Sequence, residues 1–327
     1  MILIISHPRD LHAQKIIQIL QNKGEEPYLL DLSKFPIQST IEINYGDHNY
    51  SKYIQEEILG KVNLSNCTSV WWRRPQPFKV HEEIVDHENK MYVLRESQEV
   101  FGGLWGLLKA QWMNNPQNDD LAHRKVYQLR IAQEVGLSIP DTLVTNSPES
   151  AKKFIDKQGV GHVIYKGFSG TPQTWRETRL IDQEGLEKLD LVRLAPLIFQ
   201  EYVSGEDFRV TVVGDKIFPA VIKVGKGSYP VDFRMNYDNM KINSAKLPKE
   251  LEDKIFKLMK RLGLVYGAID FKRNKKGAYK FLEINPAGQW LFVEYATKQP
   301  ISNAIADTLI SYQSKPAKQL MAKATCL

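Results

Sequence analysis

The chain has 327 residues, 43% hydrophobic and 25% charged, which is the composition of a globular protein with room for two or three domains. Its two cysteines, Cys67 and Cys326, lie in no metal-type spacing, which excludes a disulfide framework and a zinc site. No apolar run approaches a membrane span and residues 1–5 lack the features of a signal peptide, so we expect a cytoplasmic protein with no membrane partner. The net charge of +6 favours anionic partners, but the basic residues are scattered, so we predict no nucleic-acid partner.

The first third of the chain alternates strand-like and helix-like segments. We predict a buried strand at 2–5, a helix that ends at Gly24, and a second strand at 28–32. This βαβ opening is typical of a mostly parallel α/β domain. Further strands are predicted at 41–45 and 70–74, and residues 82–108 are rich in helix formers.

The rest of the chain predicts mixed structure followed by an antiparallel sheet. Polar residues at 114–120 mark the first domain boundary. Helices are predicted at 123–135, 148–155 and 251–262. Strands are predicted at 140–145, 163–166, 197–203, 208–213, 217–224, 268–272 and 279–284. The last four strands favour an antiparallel sheet, and the residues after Tyr312 are expected to form a loose tail.

Three oxygen-bearing side chains lie in two adjacent strand-like runs near the end of the chain. Glu283 and Asn285 are two residues apart and therefore share one face of a strand. Residues 274–277 have the composition of a hairpin turn, which would bring Asp270 opposite them. Two carboxylates and an amide oxygen suit Mg²⁺ held together with nucleotide phosphates. The alternative is a hairpin with polar residues on its solvated face, but Glu283 lies within an apolar run, where an uncompensated charge is costly.

Two lysines are candidate phosphate ligands. Lys166 ends an apolar strand and precedes a loop at 167–172, whose small residues include Gly167, Ser169 and Gly170. A lysine at a strand end provides a point charge for a phosphate, and such a loop can add backbone N–H groups. Lys125 lies on an early helix, where an exposed lysine with no such role is the alternative.

Residues 199–203 are a candidate adenine-binding linker, because backbone groups there could pair with the purine edge while apolar side chains cover its faces. Glu206 or Asp207 would then lie where a ribose hydroxyl is bound, and Arg209 on the next strand could reach a phosphate. The alternative for this segment is a strand followed by a charged turn. The chain contains no P-loop motif, so a nucleotide would need a different arrangement of residues.

Taken together and in this order, these residues resemble the ATP-grasp superfamily over most of the chain. The resemblance implies an α/β fold with an N-terminal α/β domain at 1–113, a central lid domain at 114–198, a C-terminal antiparallel-sheet domain at 199–312 and a tail at 313–327. It implies ATP and Mg²⁺ as cofactors, with the metal on Asp270, Glu283 and Asn285. The implied nucleotide residues are Lys125, Lys166, Gly167, Ser169, Gly170, Gln200, Glu201, Tyr202, Val203 and Asp207.

Within that superfamily the sequence is most similar to the peptide-macrocyclising ligases that mature graspetides such as microviridins. Four stretches carry this similarity: 70–75, 137–146, 231–234 and 282–294. It implies that the enzyme phosphorylates a side-chain carboxylate of a precursor peptide, whose own hydroxyl or amine then closes an ester or amide ring. The partner would be a precursor with a leader segment, for which residues 184–194 are a candidate docking region, and homodimers are common among such enzymes.

Several arginines and one further lysine are candidates for contacting the reacting groups of the substrate. Arg234 could hold the acyl phosphate or the acceptor carboxylate, or instead pair with Asp232 or Asp238. Arg209 would neutralise developing charge, and Lys223 is a candidate for the same role as Arg234. Arg73 and Arg74 end a strand of the first domain, where ligands collect in α/β sheets, and are predicted to meet the acidic substrate unless they form ion pairs. No general base is identifiable.

Two other functions stay open at this point. The enzyme could add an amino acid to a protein or small peptide, as ribosomal-protein glutamate ligases and glutathione-synthetase-like enzymes do. It could also be a nucleotide-binding scaffold without turnover, although a scaffold has no need of Mg²⁺ ligands.

Overall fold

The computed structural model describes residues 1–46, 50–56, 60–168, 178–225 and 240–314. Contacts divide the chain into two compact units: a first unit of Met1–Pro116 with the described part of Ser302–Leu327, and a second unit of Gln117–Ile301. The predicted division of residues 114–312 into a central and a C-terminal domain stays a prediction. No described helix is long and apolar enough to span a bilayer.

The strands are β1 (Ile2–Ile5), β2 (Tyr28–Leu30), β3 (Ser39–Tyr45), β4 (Tyr50–Glu56), β5 (Gly60–Asn63), β6 (Ser69–Trp72), β7 (Gln111–Met113), β8 (Thr142–Thr145), β9 (Val163–Lys166), β10 (Arg179–Leu180), β11 (Leu197–Glu201), β12 (Gly205–Val213), β13 (Lys216–Val224), β14 (Met240–Ser244), β15 (Tyr266–Asn274) and β16 (Tyr279–Asn285). The helices are α1 (Leu11–Asn22), α2 (His87–Leu107), α3 (Pro116–His123), α4 (Lys125–Glu134), α5 (Pro148–Gln158), α6 (Gln183–Glu187), α7 (Lys249–Leu262), α8 (Leu291–Thr297) and α9 (Ile301–Gln313). Short 3₁₀ turns cover Leu32–Lys34, Leu64–Asn66 and Leu189–Leu194.

A parallel sheet forms the centre of the first unit, as the βαβ pattern predicts. Its strand order is β2-β1-β6-β7, and every neighbouring pair is parallel. All four residues of β1 are buried, which is expected for a strand with side chains packed on both faces. The Asp10 carboxylate begins α1 by accepting a 3.0 Å hydrogen bond from the backbone of His12.

A second sheet in the first unit was only partly predicted. It is antiparallel, with order β3-β4-β5, and the sequence analysis identified β3 alone. The predicted helix at 82–108 is α2, which begins later, at the Asp86 cap. Helix α9, which extends to Gln313, was not predicted from the sequence. The tail expected after Tyr312 lies outside the described residues from residue 315 onward.

The second unit contains two sheets. The first has order β10-β9-β11-β8 and packs its core against α5. The second is antiparallel, with order β14-β13-β12-β15-β16, and includes the four strands predicted there plus β14. The predicted helix at 123–135 is α4, which begins two residues later, at Lys125.

The five-stranded sheet separates an apolar face from a polar face. Side chains of a strand alternate between faces, so Phe208, Val210 and Val212 of β12 point into a core shared with α4 and α7. Asp207, Arg209 and Thr211, which alternate with these residues along β12, therefore lie on the other face. Helix α7 ends at Gly263, whose φ of 66° is a left-handed conformation that glycine adopts without strain.

Candidate nucleotide and metal site

Asp270 and Glu283 lie directly opposite each other on β15 and β16, and Asn285 is opposite Ala268. The predicted hairpin is thus confirmed. Its turn is closed by the Asn274 side chain, which accepts hydrogen bonds from the backbones of Lys276 and Ala278 at 3.0 and 2.9 Å.

The pairing of β15 with β16 contains a β-bulge between Asp270 and Phe271. Phe271 pairs with Phe281 while Asp270 pairs with Glu283, so Leu282 is the extra residue. As a result Phe281 lies in the apolar core while Glu283 and Asn285 share the polar face with Asp270.

Each carboxylate of this pair has a cationic partner. Arg209, opposite Asp270 on β12, donates from Nη1 to both Asp270 oxygens at 2.9 and 3.0 Å. Lys125, the first residue of α4, donates from Nζ to Glu283 Oε2. The Arg209 and Asp270 side chains are 10% and 17% exposed, and those of Lys125 and Glu283 are 22% and 25% exposed. The structure therefore gathers four predicted site residues into two adjacent ion pairs.

The donor set of Asp270, Glu283 and Asn285 fits a hard divalent cation. Both carboxylates are partly exposed on one face of the hairpin, and the amide oxygen shares that face. The Asn285 Oδ1 also accepts a 2.9 Å hydrogen bond from the backbone of Ala287, which fixes the orientation of its amide. Among the described residues, no group of three or more His, Cys, Asp or Glu could hold a metal, so the amide of Asn285 is needed to complete the set.

Gln128 of α4 is a buried residue that the sequence analysis missed. Its Oε1 accepts from the backbone N–H of Ile284 at 2.8 Å, and its Nε2 donates to the Ile284 carbonyl at 3.3 Å and to that of Ala122 at 2.9 Å. Ile284 lies between Glu283 and Asn285, so Gln128 fixes the strand that carries both. Its spacing of three from Lys125, on the same side of a helix, is the only signal in the sequence.

Lys166 ends β9 and contacts the neighbouring strand. Its Nζ donates to Gln200 Oε1 at 3.3 Å, and Gln200, which is 1% exposed, donates from Nε2 to Thr142 Oγ1 at 2.9 Å. Gly167 follows as an exposed residue, whereas Ser169 and Gly170 lie outside the described residues, as does Arg234.

The predicted adenine linker forms the end of β11 and the residues after it. Glu201 and Asp141 are joined twice: the Glu201 N–H donates to the Asp141 carbonyl at 2.8 Å, and the Asp141 N–H donates to Glu201 Oε2 at 3.2 Å. The Tyr202 N–H donates to the His162 carbonyl at 2.8 Å, and Val203 is 8% exposed. The backbone of this linker is therefore held on both sides.

Asp207 and Glu206 lie on opposite faces of the five-stranded sheet. Asp207 shares the polar face with Arg209, and it accepts a 2.8 Å hydrogen bond from Lys272 in a buried ion pair. Glu206 instead pairs with Arg273, whose guanidinium also lies 5.0 Å from the centre of the Phe208 ring. Hydrogen bonds from Arg273 lower the pKa of the Glu206 carboxyl.

Lys223 is also separated from Arg209. Its Nζ lies 3.5 Å from Glu206, and its side chain is 60% exposed. The structure thus brings Asp207 together with Arg209 and Asp270, but does not bring Glu206 or Lys223 to that face. Their predicted roles stay predictions.

In the first unit, Arg73 and Arg74 follow β6. Arg73 is 1% exposed, and its Nε lies 3.3 Å from Asp10 Oδ2. Arg73 and Asp10 thus form a buried ion pair, which differs from both the substrate contact and the surface pair predicted for Arg73. Arg74 is partly buried, and its predicted role is untested. Burial and the charge of Arg73 lower the pKa of the nearby His12 to about 3.

Comparisons with known proteins match both halves of the chain. Residues 1–120 match the MvdD pre-ATP grasp domain, and residues 122–309 match the RimK-like ATP-grasp domain. The chain belongs to the RimK-like ATP-grasp family. This membership confirms the fold expected from the sequence.

Solved ATP-grasp structures resemble the whole chain. The macrocyclase MdnC of Microcystis aeruginosa, bound with precursor peptide MdnA, is 28% identical with a TM-score of 0.84, covering 95% of this chain and 99% of MdnC. The macrocyclase MdnB of the same organism is 30% identical with a TM-score of 0.79, covering 94% and 98%. A RiPP-associated ATP-grasp ligase of Chryseobacterium gregarium, in complex with ADP and a leader and core peptide, is 26% identical with a TM-score of 0.87, covering 98% and 99%.

Curated ATP-grasp relatives match a smaller part. A probable alpha-L-glutamate ligase of Shewanella denitrificans is 26% identical over 190 residues, which are 56% of this chain and 63% of that protein. The chain thus spans less than two thirds of the length of this relative.

Proposed function

We propose that this protein is an ATP-dependent ligase that closes ester or amide rings in a ribosomally made precursor peptide. The observation that carries the proposal is the pair of carboxylates Asp270 and Glu283 on the polar face of an ATP-grasp sheet, each of which is paired with a basic side chain. Similarity over almost the whole chain to two enzymes whose structures contain a bound peptide, MdnC and the Chryseobacterium gregarium ligase, supports a peptide rather than a small molecule as the substrate.

The chemistry consists of two substitutions. A side-chain carboxylate oxygen of the peptide attacks the γ-phosphorus of ATP, the bond to the β–γ bridging oxygen breaks, and ADP leaves. A hydroxyl or amine of the same peptide then attacks the acyl carbon, the C–O bond to phosphate breaks, and the nucleophile loses its proton. Each ring closure removes the elements of one water molecule from the peptide, and the other products are ADP and phosphate. Positioned cations are the main requirement of phosphoryl transfer.

Residues of the polar face have separate roles in this scheme. Asp270, Glu283 and Asn285 would hold Mg²⁺, which neutralises phosphate charge when bound. Arg209 and Lys125 lie on these carboxylates and can interact with phosphate oxygens, as Lys166 can at the end of β9. Asp207 is the candidate for the ribose, and residues 201–203 are the candidate for adenine.

Intact-mass spectrometry of a small acidic precursor that contains Thr, Ser or Lys and is encoded beside this gene tests the proposal. With enzyme, ATP and Mg²⁺ we expect ATP-dependent losses of one water per ring, with ADP as the nucleotide product. Glu283→Gln should abolish these losses, while Gln289→Glu, an exposed change after the same strand, should not. Losses that persist in Glu283→Gln would contradict the assignment of the site.

Addition of an amino acid is the second candidate, because the curated relatives are probable alpha-L-glutamate ligases. It predicts a mass gain of one residue in place of water losses, so the same measurement separates the two. If the mass of the peptide stays unchanged while the protein still binds nucleotide, a scaffold without turnover would be favoured.

A further inference from the structure

The carboxyl ends of the parallel strands in the first unit border a cavity of 370 Å³. His7 follows β1, Asp31 follows β2, and Gln76 lies in the segment after β6, and all three line it. The chain leaves β1 for β2 on one side and returns to β6 on the other side of β1. In open α/β sheets, ligands bind outside the carboxyl ends of strands at such a reversal of strand order.

Cations dominate the charged residues that line this cavity. They are Arg9, Lys34 and Lys79, against the single acid Asp31. The Asp31 carboxylate is engaged by Ser33, whose backbone N–H and hydroxyl donate to it at 3.0 and 2.8 Å. The lining therefore has an excess of positive charge, and its acid already has hydrogen-bond donors.

The three cations are not equivalent. The Lys34 ammonium binds Glu56, a carboxylate that is 2% exposed and also accepts a 2.7 Å hydrogen bond from the Tyr28 hydroxyl. Arg9 and Lys79 are exposed, and neither forms an ion pair with any residue in the described ranges. These two side chains can therefore bind an anionic ligand without breaking an internal pair.

The rest of the lining favours a peptide over a simple inorganic ion. Ile37 and Phe78 supply apolar surface, and Gln38 and Gln76 supply amides that can both donate and accept hydrogen bonds. A cavity of 370 Å³ is in the range that holds organic ligands rather than a single small anion.

We propose that this cavity binds an acidic segment of the peptide substrate, with Arg9 and Lys79 as its carboxylate ligands. The proposal rests on the proposed function for the identity of the peptide. It assigns to the first unit a substrate-binding role that uses the carboxyl edge of its parallel sheet. Arg73, which ends a strand at the same edge, is buried on Asp10 and therefore supports this edge rather than lining the cavity.

Binding of a blocked Glu-Asp-Glu tripeptide to the full chain, without ATP, tests the site directly. Gln-Asn-Gln of the same length is the neutral probe. The variants are Arg9→Gln, Lys79→Gln and both together, and the matched control is Lys90→Gln on the exposed side of α2. We expect the acidic peptide alone to bind, and the double variant to weaken binding about tenfold, because each exposed ion pair contributes about threefold. Lys90→Gln should bind as the wild type does.

Three results would overturn the proposal: unchanged affinity in the double variant, equal binding of the neutral peptide, or displacement of the acidic peptide by inorganic phosphate at similar concentrations. The last would identify a general anion site. In ligation assays the double variant should also raise the KM for the precursor about tenfold. Ligation with an unchanged KM would overturn the cavity's role while leaving the proposed function intact. Absence of ligation in the wild type, with the tripeptide still bound as predicted, would remove the proposed function and with it the identity of the ligand.

Discussion

Arg209 donates from a single nitrogen, Nη1, to both carboxylate oxygens of Asp270, at 2.9 and 3.0 Å. The two residues are directly opposed on β12 and β15, so the sheet itself sets their separation. A carboxylate that would bind a cation is thereby neutralised by the protein, and an arginine that would contact phosphate is held in place.

Loss of the Asp270 charge should reduce stability as well as activity. In Asp270→Asn the Arg209 guanidinium, 10% exposed, would lose its counter-ion, and we expect a cost of about 2 kcal/mol. Glu283→Gln should cost under about 1 kcal/mol, since the Glu283 and Lys125 side chains are more exposed. Urea unfolding of both variants measures the difference, and a larger loss in Glu283→Gln would be inconsistent with this account.

Gln128 should act as a positioning residue for β16. Gln128→Leu removes three hydrogen bonds and leaves the backbone groups of Ile284 unsatisfied, so we expect a loss of about 2 kcal/mol in the free energy of unfolding. Gln133→Leu, at an exposed position of α4, is the matched control and should change stability by less than about 0.5 kcal/mol. Equal urea midpoints for the two variants would show that Gln128 does not fix the strand.

The first residue of β12 cannot carry a side chain. Gly205 has a φ of 153°, and a Cβ there would lie 2.0 Å from the Arg273 carbonyl oxygen. We expect Gly205→Ala to destabilise the protein by about 2 kcal/mol or more. Gly102→Ala in α2, where a Cβ meets nothing within 4 Å, should instead stabilise it by about 0.5 to 1 kcal/mol. Thermal unfolding of the pair is the measurement, and shifts of the same sign would refute the prediction.

Stability should fall as the pH is lowered below about 6.5. His12 has a folded pKa of about 3, below its unfolded value, because it is buried beside Arg73. The unfolded chain therefore binds a proton that the folded chain does not, and stability is lost between pH 6.5 and 3 at up to about 1.4 kcal/mol per pH unit. Burial opposes the ionisation of Asp10, but Arg73 and the hydrogen bonds from His12 and Ser6 still lower the pKa of this carboxyl. The stability that the Asp10 carboxylate contributes is therefore lost only at a lower pH than that of His12.

Urea unfolding between pH 7 and pH 4.5 measures this slope in the wild type and in His12→Gln. The variant should have the shallower dependence on pH over this interval, because it lacks the titrating imidazole. Identical slopes in the two proteins would mean that His12 is not the source.

The sequence predicted the hairpin of β15 and β16 because its signals are local. Alternating apolar residues and the turn at 274–277 are enough to place Asp270 near Glu283. It could not predict the role of Gln128, because the partner of its amide is 156 residues away and a buried glutamine looks like an exposed one in sequence. Whether a strand distant in sequence buries a side chain depends on the tertiary structure.

The neighbours Glu206 and Asp207 show a limit of a different kind. Adjacent residues of a strand point to opposite faces, so only one of the two can lie on the face that carries the site. Which one did so depends on the phase of β12, set by Phe208 and Val210 in the core. Strand β4 was missed because four of its seven residues are polar, and β5 because it has only four residues; the pairing of β3 with β4 and of β4 with β5 identifies them.

The extra residue Leu282 determines which side chains of the hairpin point to the apolar face and which to the polar face. If pairing continued regularly from Phe271 and Phe281, Glu283 would fall opposite Ile269 and enter the apolar layer. The bulge shifts the phase of alternation by one residue between Phe281 and Glu283. With this shift Phe271 and Phe281 in the turn half and Ile269 and Ile284 in the other half all lie in the hydrophobic core, so a single inserted residue gives the hairpin one continuous apolar face and leaves its carboxylates on the opposite face.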